Sequence, residues 1–360
     1  NYSFRLTVTD KDGWTDDDTV QVAVTAANRA TLDVQLIPVG ALSQPRQVSA
    51  AVTANNKIFF AGGKPKPSGP GPSYSSRVDI YDITTDTWTA TDLSERKSGI
   101  TAVSSGDKVF FAGGTGLLST GRVGLSSRMD VYSLSTGLWT TMVLPRPGEY
   151  SSVVLGDKLF FAGGRAIDIY DISNDAWTSK TLSQPRYLIS PVNSQGKLYF
   201  SGGASTISGG TPYSKVDIYD PAGASWAETS MTESRYKIAS VGLRGKVLWA
   251  GGITNSGMTN EVEIMDVLTG SRTFGCLFQA NAFSNFSVAR TGTRYALFVW
   301  DGKEKDKIDI YDGLTDTWYI GLLSQSVTPS LVISANNTIY VVGTEAGGDG
   351  YYDKVWKLQF

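Results

Sequence analysis

The sequence predicts an all-β chain in which seven similar four-stranded sheets stack around one axis, and three observations predict it. An apolar run ending in paired glycines recurs as "KIFFAGG" at Lys57, "KVFFAGG" at Lys108, "KLFFAGG" at Lys158, "KLYFSGG" at Lys197 and "KVLWAGG" at Lys246, with weaker forms "ALFVWDG" at Ala296 and "TIYVVGT" at Thr338. An alternating strand follows each time: "RVDIYD" at Arg77, "RMDVYS" at Arg128, "AIDIYD" at Ala166, "KVDIYD" at Lys215, "EVEIMD" at Glu261, "KIDIYD" at Lys307 and "DKVWKL" at Asp353. In five repeats a tyrosine lies seven residues before a tryptophan: Tyr81 and Trp88, Tyr132 and Trp139, Tyr170 and Trp177, Tyr219 and Trp226, Tyr311 and Trp318.

Each part of the repeat has a physical reading. A run apolar at consecutive positions predicts a strand buried on both faces. "VDIYDI" alternates, as a half-buried strand does. "DITTDTW" and "DISNDAW" set Asp, Thr and Ser between two strands and predict a tight turn. The glycines let the backbone approach a neighbour where a Cβ would clash. One such sheet cannot bury both of its faces alone, whereas sheets stacked about an axis can, with Trp and Tyr rings filling the wedges. The fifth repeat has Met265 for the tyrosine and Arg272 for the tryptophan, so looser packing is expected there.

The repeats begin near Val48, Ser98, Tyr150, Leu188, Lys237, Phe283 and Ser330, and the last has room for three strands only. "TLDVQLIPV" (residues 31–39) reads as an orphan fourth strand, followed by "LSQPR" as the complete fourth strand is at residues 182–186. It is expected to complete the last sheet and remove the open edges of a linear array. Residues 1–27 differ: two alternating strands flank an Asp-Gly turn, a hairpin signature.

Composition narrows the function. With 18% charged residues and a net charge of −2, the chain lacks the dense basic surface that nucleic acid or an anionic membrane requires. No apolar run is long enough for a membrane-spanning helix. The single cysteine, Cys276, lies in "TFGCLF" and reads as a small buried hydrophobe. Histidine is absent, which removes the commonest general base and metal ligand.

The order of paired glycines, tyrosine and tryptophan over residues 30–360 resembles the kelch repeat, which builds β-propellers. Residues 1–27 resemble the C-terminal strands of a PKD domain, an immunoglobulin-like module frequent in secreted and surface proteins. The resemblance implies an all-β chain divided at residues 27 and 28: part of a PKD-like domain, then a seven-bladed kelch-type propeller closed by an N-terminal strand. It implies an extracellular, surface-attached, multidomain setting of bacterial type, with no cofactor and no membrane insertion. Copper radical oxidases use the same propeller but need histidine ligands, so that chemistry is excluded. Sialidase-type turns, a nucleophile elbow and a phosphate loop are likewise missing. The expected function is non-catalytic recognition of a protein or glycan; a carbohydrate-active propeller working through carboxylates is the alternative.

Two sets of site residues are expected. Loops after the glycines vary, with long ones at residues 64–76, 115–127 and 204–214 and none in the third repeat, so that face is expected to bind. An arginine recurs in the linkers: Arg46, Arg96, Arg146, Arg186 and Arg235. In kelch adaptors, arginines at the matching place help read acidic peptides, so these five are expected to ring the channel mouth. They also fit as structural partners of carboxylates such as Glu95 or Glu233, the plainer reading of a recurring arginine. Asp10, Asp12 and Asp16 form a weak calcium candidate, set against a plain solvated turn.

Overall fold

A computed structural model describes residues 2–22, 29–67, 73–280, 288–298, 305–345 and 351–360. The chain divides into two compact units, Asn1–Ala30 and Thr31–Phe360. Among the described residues the chain is all β, without a helix.

The first unit is a hairpin, Tyr2–Thr9 antiparallel to Thr15–Val22. The Asp10 carboxylate closes its turn, accepting from the backbone N–H groups of Asp12 (2.9 Å) and Trp14 (3.0 Å). Lys11 pairs with Asp12 at 3.0 Å. The side chain of Asp16 lies outside the described residues. Among those described, no group of three or more acidic or sulfur ligands is arranged to hold a metal ion.

The second unit repeats one antiparallel sheet. In the first, Ala50–Ala54, Lys57–Ala61, Arg77–Asp82 and Thr87–Asp92 pair in chain order. The same order builds a second sheet at Thr101–Ser105, Lys108–Ala112, Arg128–Ser133 and Trp139–Val143, a fourth that opens at Ser190–Ser194, and a fifth that opens at Ala239–Leu243. In the third, Lys158–Asp171 supplies both middle strands and doubles back at the glycines. Ile172 N–H bonds Asp157 O at 2.9 Å and Lys158 pairs with Asp171, the closures that Ile83, Asn56, Lys57 and Asp82 make in the first sheet.

The opening strands neighbour one another in a cycle: Ala50–Ala54, Thr101–Ser105, Ser151–Leu155, Ser190–Ser194, Ala239–Leu243, Val288–Thr291, Val327–Ala335 and back to Ala50–Ala54. Strand Thr31–Gln47 closes the unit. From Gln35 it runs antiparallel to Tyr352–Gln359. It is longer than residues 31–39, and its first four residues pair in parallel with Thr317–Leu323, which the repeat pattern did not foreshadow.

Packing explains the apolar runs. Phe59 faces the second sheet, its ring 6.3 Å from that of Phe111, while Phe60 turns the other way and stacks on Trp88 at 5.9 Å. Both are fully buried, each contributing about 1.5–3 kcal/mol of transfer free energy. The seven-residue spacing is a cross-strand pair: Tyr81 lies opposite Trp88 with ring centroids 5.0 Å apart, and Tyr170 and Trp177 repeat both features. The tyrosine hydroxyls donate to a turn aspartate, Tyr81 to Asp86 at 2.8 Å and Tyr170 to Asp175 at 2.7 Å. Burial and these carboxylates push the phenols up, that of Tyr170 to about 12.

The fifth sheet is repacked on one face. Trp249 replaces the phenylalanine and is fully buried, and the Arg272 guanidinium lies over its ring at 5.4 Å. Cys276 is half-buried at the end of that sheet's last strand, not in the core. Gly63 shows what the paired glycines do: its φ is +113°, and a Cβ there would lie 1.9 Å from the carbonyl oxygen of Gln47.

Candidate binding site at the axial mouth

The linker before each opening strand has two jobs, and the recurring arginines perform the structural one. The Arg46 side chain is wholly buried and meets Asp79 at 2.7 Å. Its remaining N–H groups reach the carbonyls of Gly62 (2.9 Å), Gln44 (3.0 Å), Phe60 (2.9 Å) and Arg77 (3.3 Å). Arg186 repeats this with Gly202, Gln184, Phe200 and Asp217. Arg235 pairs with Glu263 at 3.5 Å, and Glu263 also binds Arg272. Burial pulls these three guanidinium groups below their ordinary value, and the carboxylates oppose it.

The expected ring of five arginines is therefore corrected. Arg46, Arg186 and Arg235 are at most 1% exposed. Buried and turned inward onto a carboxylate and backbone carbonyls, these guanidinium groups are out of reach of a ligand at the surface. Arg96 is exposed, and the buried cation in its linker is Lys97, 3.1 Å from Asp130. Arg146 is 45% exposed and binds Asp168 at 2.5 Å. The acids are those of the "DIYD" strands, not Glu95 or Glu233; Glu95 instead accepts from Ser126 at 2.6 Å and from Ser119 N–H at 3.1 Å.

The third linker departs from the rest. Elsewhere a backbone N–H also reaches the strand acid: Ser43 to Asp79, Ser94 to Asp130, Ser183 to Asp217 and Thr232 to Glu263. Pro145 follows Leu144 as Ser94 follows Leu93, and proline has no N–H. Gly148 makes the backbone bonds that Lys97 makes, through Ser126 and Gly114 where Lys97 uses Ser75 and Gly63, so this linker has no side chain where Arg46, Lys97, Arg186 and Arg235 place a cation. The Tyr150 ring lies against Gly148 instead, and its hydroxyl donates to Arg146 O at 2.6 Å. One oxygen of Asp168 is left buried without a partner.

The second job falls to the next residue along. Gln47, Ser98, Glu149 and Tyr187 each follow the buried-cation position, and together they line a cavity of about 270 Å³. Tyr150, Ser49 and the loop residues Lys64 and Ile207 complete its wall, so linkers and post-glycine loops meet at one mouth. Glu149 is fixed there by the Thr115 hydroxyl at 2.7 Å. Burial pushes the Tyr150 phenol up to about 12, so it is a neutral donor at physiological pH. Beneath the mouth, opening-strand residues including Thr101, Ser152, Ser190 and Ser240 line a narrow space of about 100 Å³ along the axis. The cavity-lining residues fall in the same linkers as the expected arginines, one residue after Arg46 and Arg186, two after Arg96 and three after Arg146; the signal in the sequence is that the residue after each "SQPR" changes type while the arginine does not. Residues 68–72, in the first long loop, lie outside the described residues.

The chain matches no protein-family model and no curated protein. Among many solved structures of similar fold is that of YjhT, with a TM-score of 0.55 and 14% identity over 88% of this chain and 95% of that one. The likeness concerns architecture: all-β, with many small sheets, compatible with a β-propeller.

Proposed function

We propose that residues 28–360 form a seven-bladed propeller of kelch type, and that it is a non-catalytic recognition module holding a glycan in its axial mouth. The observation that carries the reading is the division of labour in the linkers. Buried cations lock four of the linkers, Gly148 takes their place in the third, and the next residue along is Gln47, Ser98, Glu149 or Tyr187 around one cavity. An amide, a hydroxyl, a carboxylate and two phenols suit a polyhydroxylated ligand, and about 270 Å³ suits one terminal sugar ring. Seven opening strands in a cycle support the blade count. The hairpin of the first unit supports its reading as the closing strands of a PKD-like domain, and that resemblance supports an extracellular setting.

The carbohydrate-active alternative has less support. Hydrolysis of a glycoside needs two carboxyl groups about 5–9.5 Å apart. Among the described residues lining the mouth, Glu149 is the one carboxylate. A glycan array with the intact chain tests the reading, followed by a product assay on each hit. Binding that falls at least tenfold in Glu149→Gln and Tyr187→Ala is expected, without turnover. Turnover, or binding untouched by both substitutions, overturns it.

A further inference from the structure

A second cavity, of about 390 Å³, opens on the fifth sheet far from the mouth, lined by Lys246, Asp266, Phe274, Gly275, Tyr311 and Trp318 among others. Three departures from the repeat create it. In the third sheet the residue three after the tryptophan, Lys180, sets its ammonium over the next sheet's Trp226 ring at 5.8 Å. Gly275 holds that place in the fifth sheet and brings no side chain onto Trp318; a Cβ there would lie 3.1 Å from the indole nitrogen. Phe274 stands beside it 61% exposed, where the first four sheets have Ala90, Thr141, Ser179 and Glu228 and the sixth has Ile320. Lys246 turns away from its own sheet and pairs with Asp316, so Asp266 lacks the lysine that Asp82, Asp171 and Asp220 hold.

We propose that this groove is a saccharide subsite, separate from the mouth and independent of that reading. A sugar ring has one apolar C–H face and a rim of hydroxyls. Trp318 offers flat aromatic surface to the first, and Phe274, the neighbour of Gly275 on the other face of the strand, lines the edge of the groove. Asp266 and the Thr273 hydroxyl offer acceptors and a donor to the second, in a volume within the range of small-ligand sites, while the Tyr311 hydroxyl is spent on Asp316. Asp266 spends one carboxylate oxygen on the turn N–H groups of Leu268 (3.0 Å) and Thr269 (2.8 Å), which fixes the group without using the other oxygen.

The test is saturation-transfer NMR on the full chain carrying Glu149→Gln and Tyr187→Ala, so that a failed mouth reading leaves the groove test intact. The probes are the methyl glycosides of glucose, galactose, mannose and N-acetylglucosamine. Transfer to the ring C–H protons of at least one sugar is expected, reduced at least fivefold by Phe274→Ala and by Gly275→Thr, which restores the side chain that the fourth sheet carries at Thr229. Phe274 is exposed, so its truncation leaves the core unchanged. No transfer in the starting variant overturns the proposal, as does transfer undiminished by Phe274→Ala. A change of association state on Phe274→Ala, seen by light scattering, also overturns it, because the groove would then be a contact between copies.

Discussion

The guanidinium of Arg186 lies 2.6 Å from the carboxylate of Asp217, with the arginine side chain wholly buried and the aspartate 5% exposed. Removing one partner leaves the other charge in the interior, at a cost of about 3–5 kcal/mol. Arg186→Ala is expected to lose that much in urea denaturation, and Arg186→Met with Asp217→Leu to lose far less. Equal losses in the two variants would show that the ion pair does not set the stability of this linker.

Gly63→Ala tests the close approach between a sheet and the linker before it. Its φ of +113° is foreign to an alanine, and the new Cβ would fall 1.9 Å from Gln47 O. A loss of about 3 kcal/mol or more is expected from the strained backbone and the shift it forces. Calorimetry showing an unchanged melting temperature would contradict this.

Pro145→Ser should stabilise the protein. The serine would regain the N–H that Ser94 gives Asp130 at 3.0 Å and offer it to Asp168, which has a buried oxygen without a partner. A hydrogen bond to a charged group contributes about 1.5–3 kcal/mol. Losing proline's restraint on the unfolded chain costs about 0.4–1 kcal/mol. The first effect wins, and a net gain of about 1 kcal/mol is expected in a denaturant titration.

Stability should fall at high pH. The Tyr150 phenol ionises near 10.0 when unfolded and near 12 when folded. Above pH 10.0 the unfolded chain has released a proton that the folded one retains, so stability is complete below that value and falls as pH rises toward about 12. Tyr170 adds to the same window. Tyr150→Phe is expected to flatten the decline between pH 10 and 12; a slope as steep as the parent's would remove this residue from the account.

Much of this was legible in the sequence because it depends on period. Seven residues from Tyr81 to Trp88 span one two-stranded turn, so the spacing reports a cross-strand pair directly. Consecutive Phe59 and Phe60 report two buried faces. The roles of the linker arginines were not legible. Arginine at a loop suggests a surface charge, and only the register that sets Phe60 opposite Asp79 shows that a carboxylate waits inside for Arg46. Nor does the sequence show that Lys97, rather than its neighbour Arg96, takes that role in the second sheet, since both are cationic and one step along a strand exchanges inside for outside.

Strand Thr31–Gln47 has a consequence for biosynthesis. Its partners reach as far as Gln359, so this segment must wait for residues made much later in the chain to leave the ribosome. Until then Leu36 and Leu42 have no final place to be buried, and the strand's hydrogen-bonding groups are open to wrong partners. Fastening of the seam must follow synthesis of residues 352–359, and contacts this distant in sequence make it slow. A chaperone that shields residues 31–47 during synthesis would raise the yield of the native protein more than one acting on any single internal repeat.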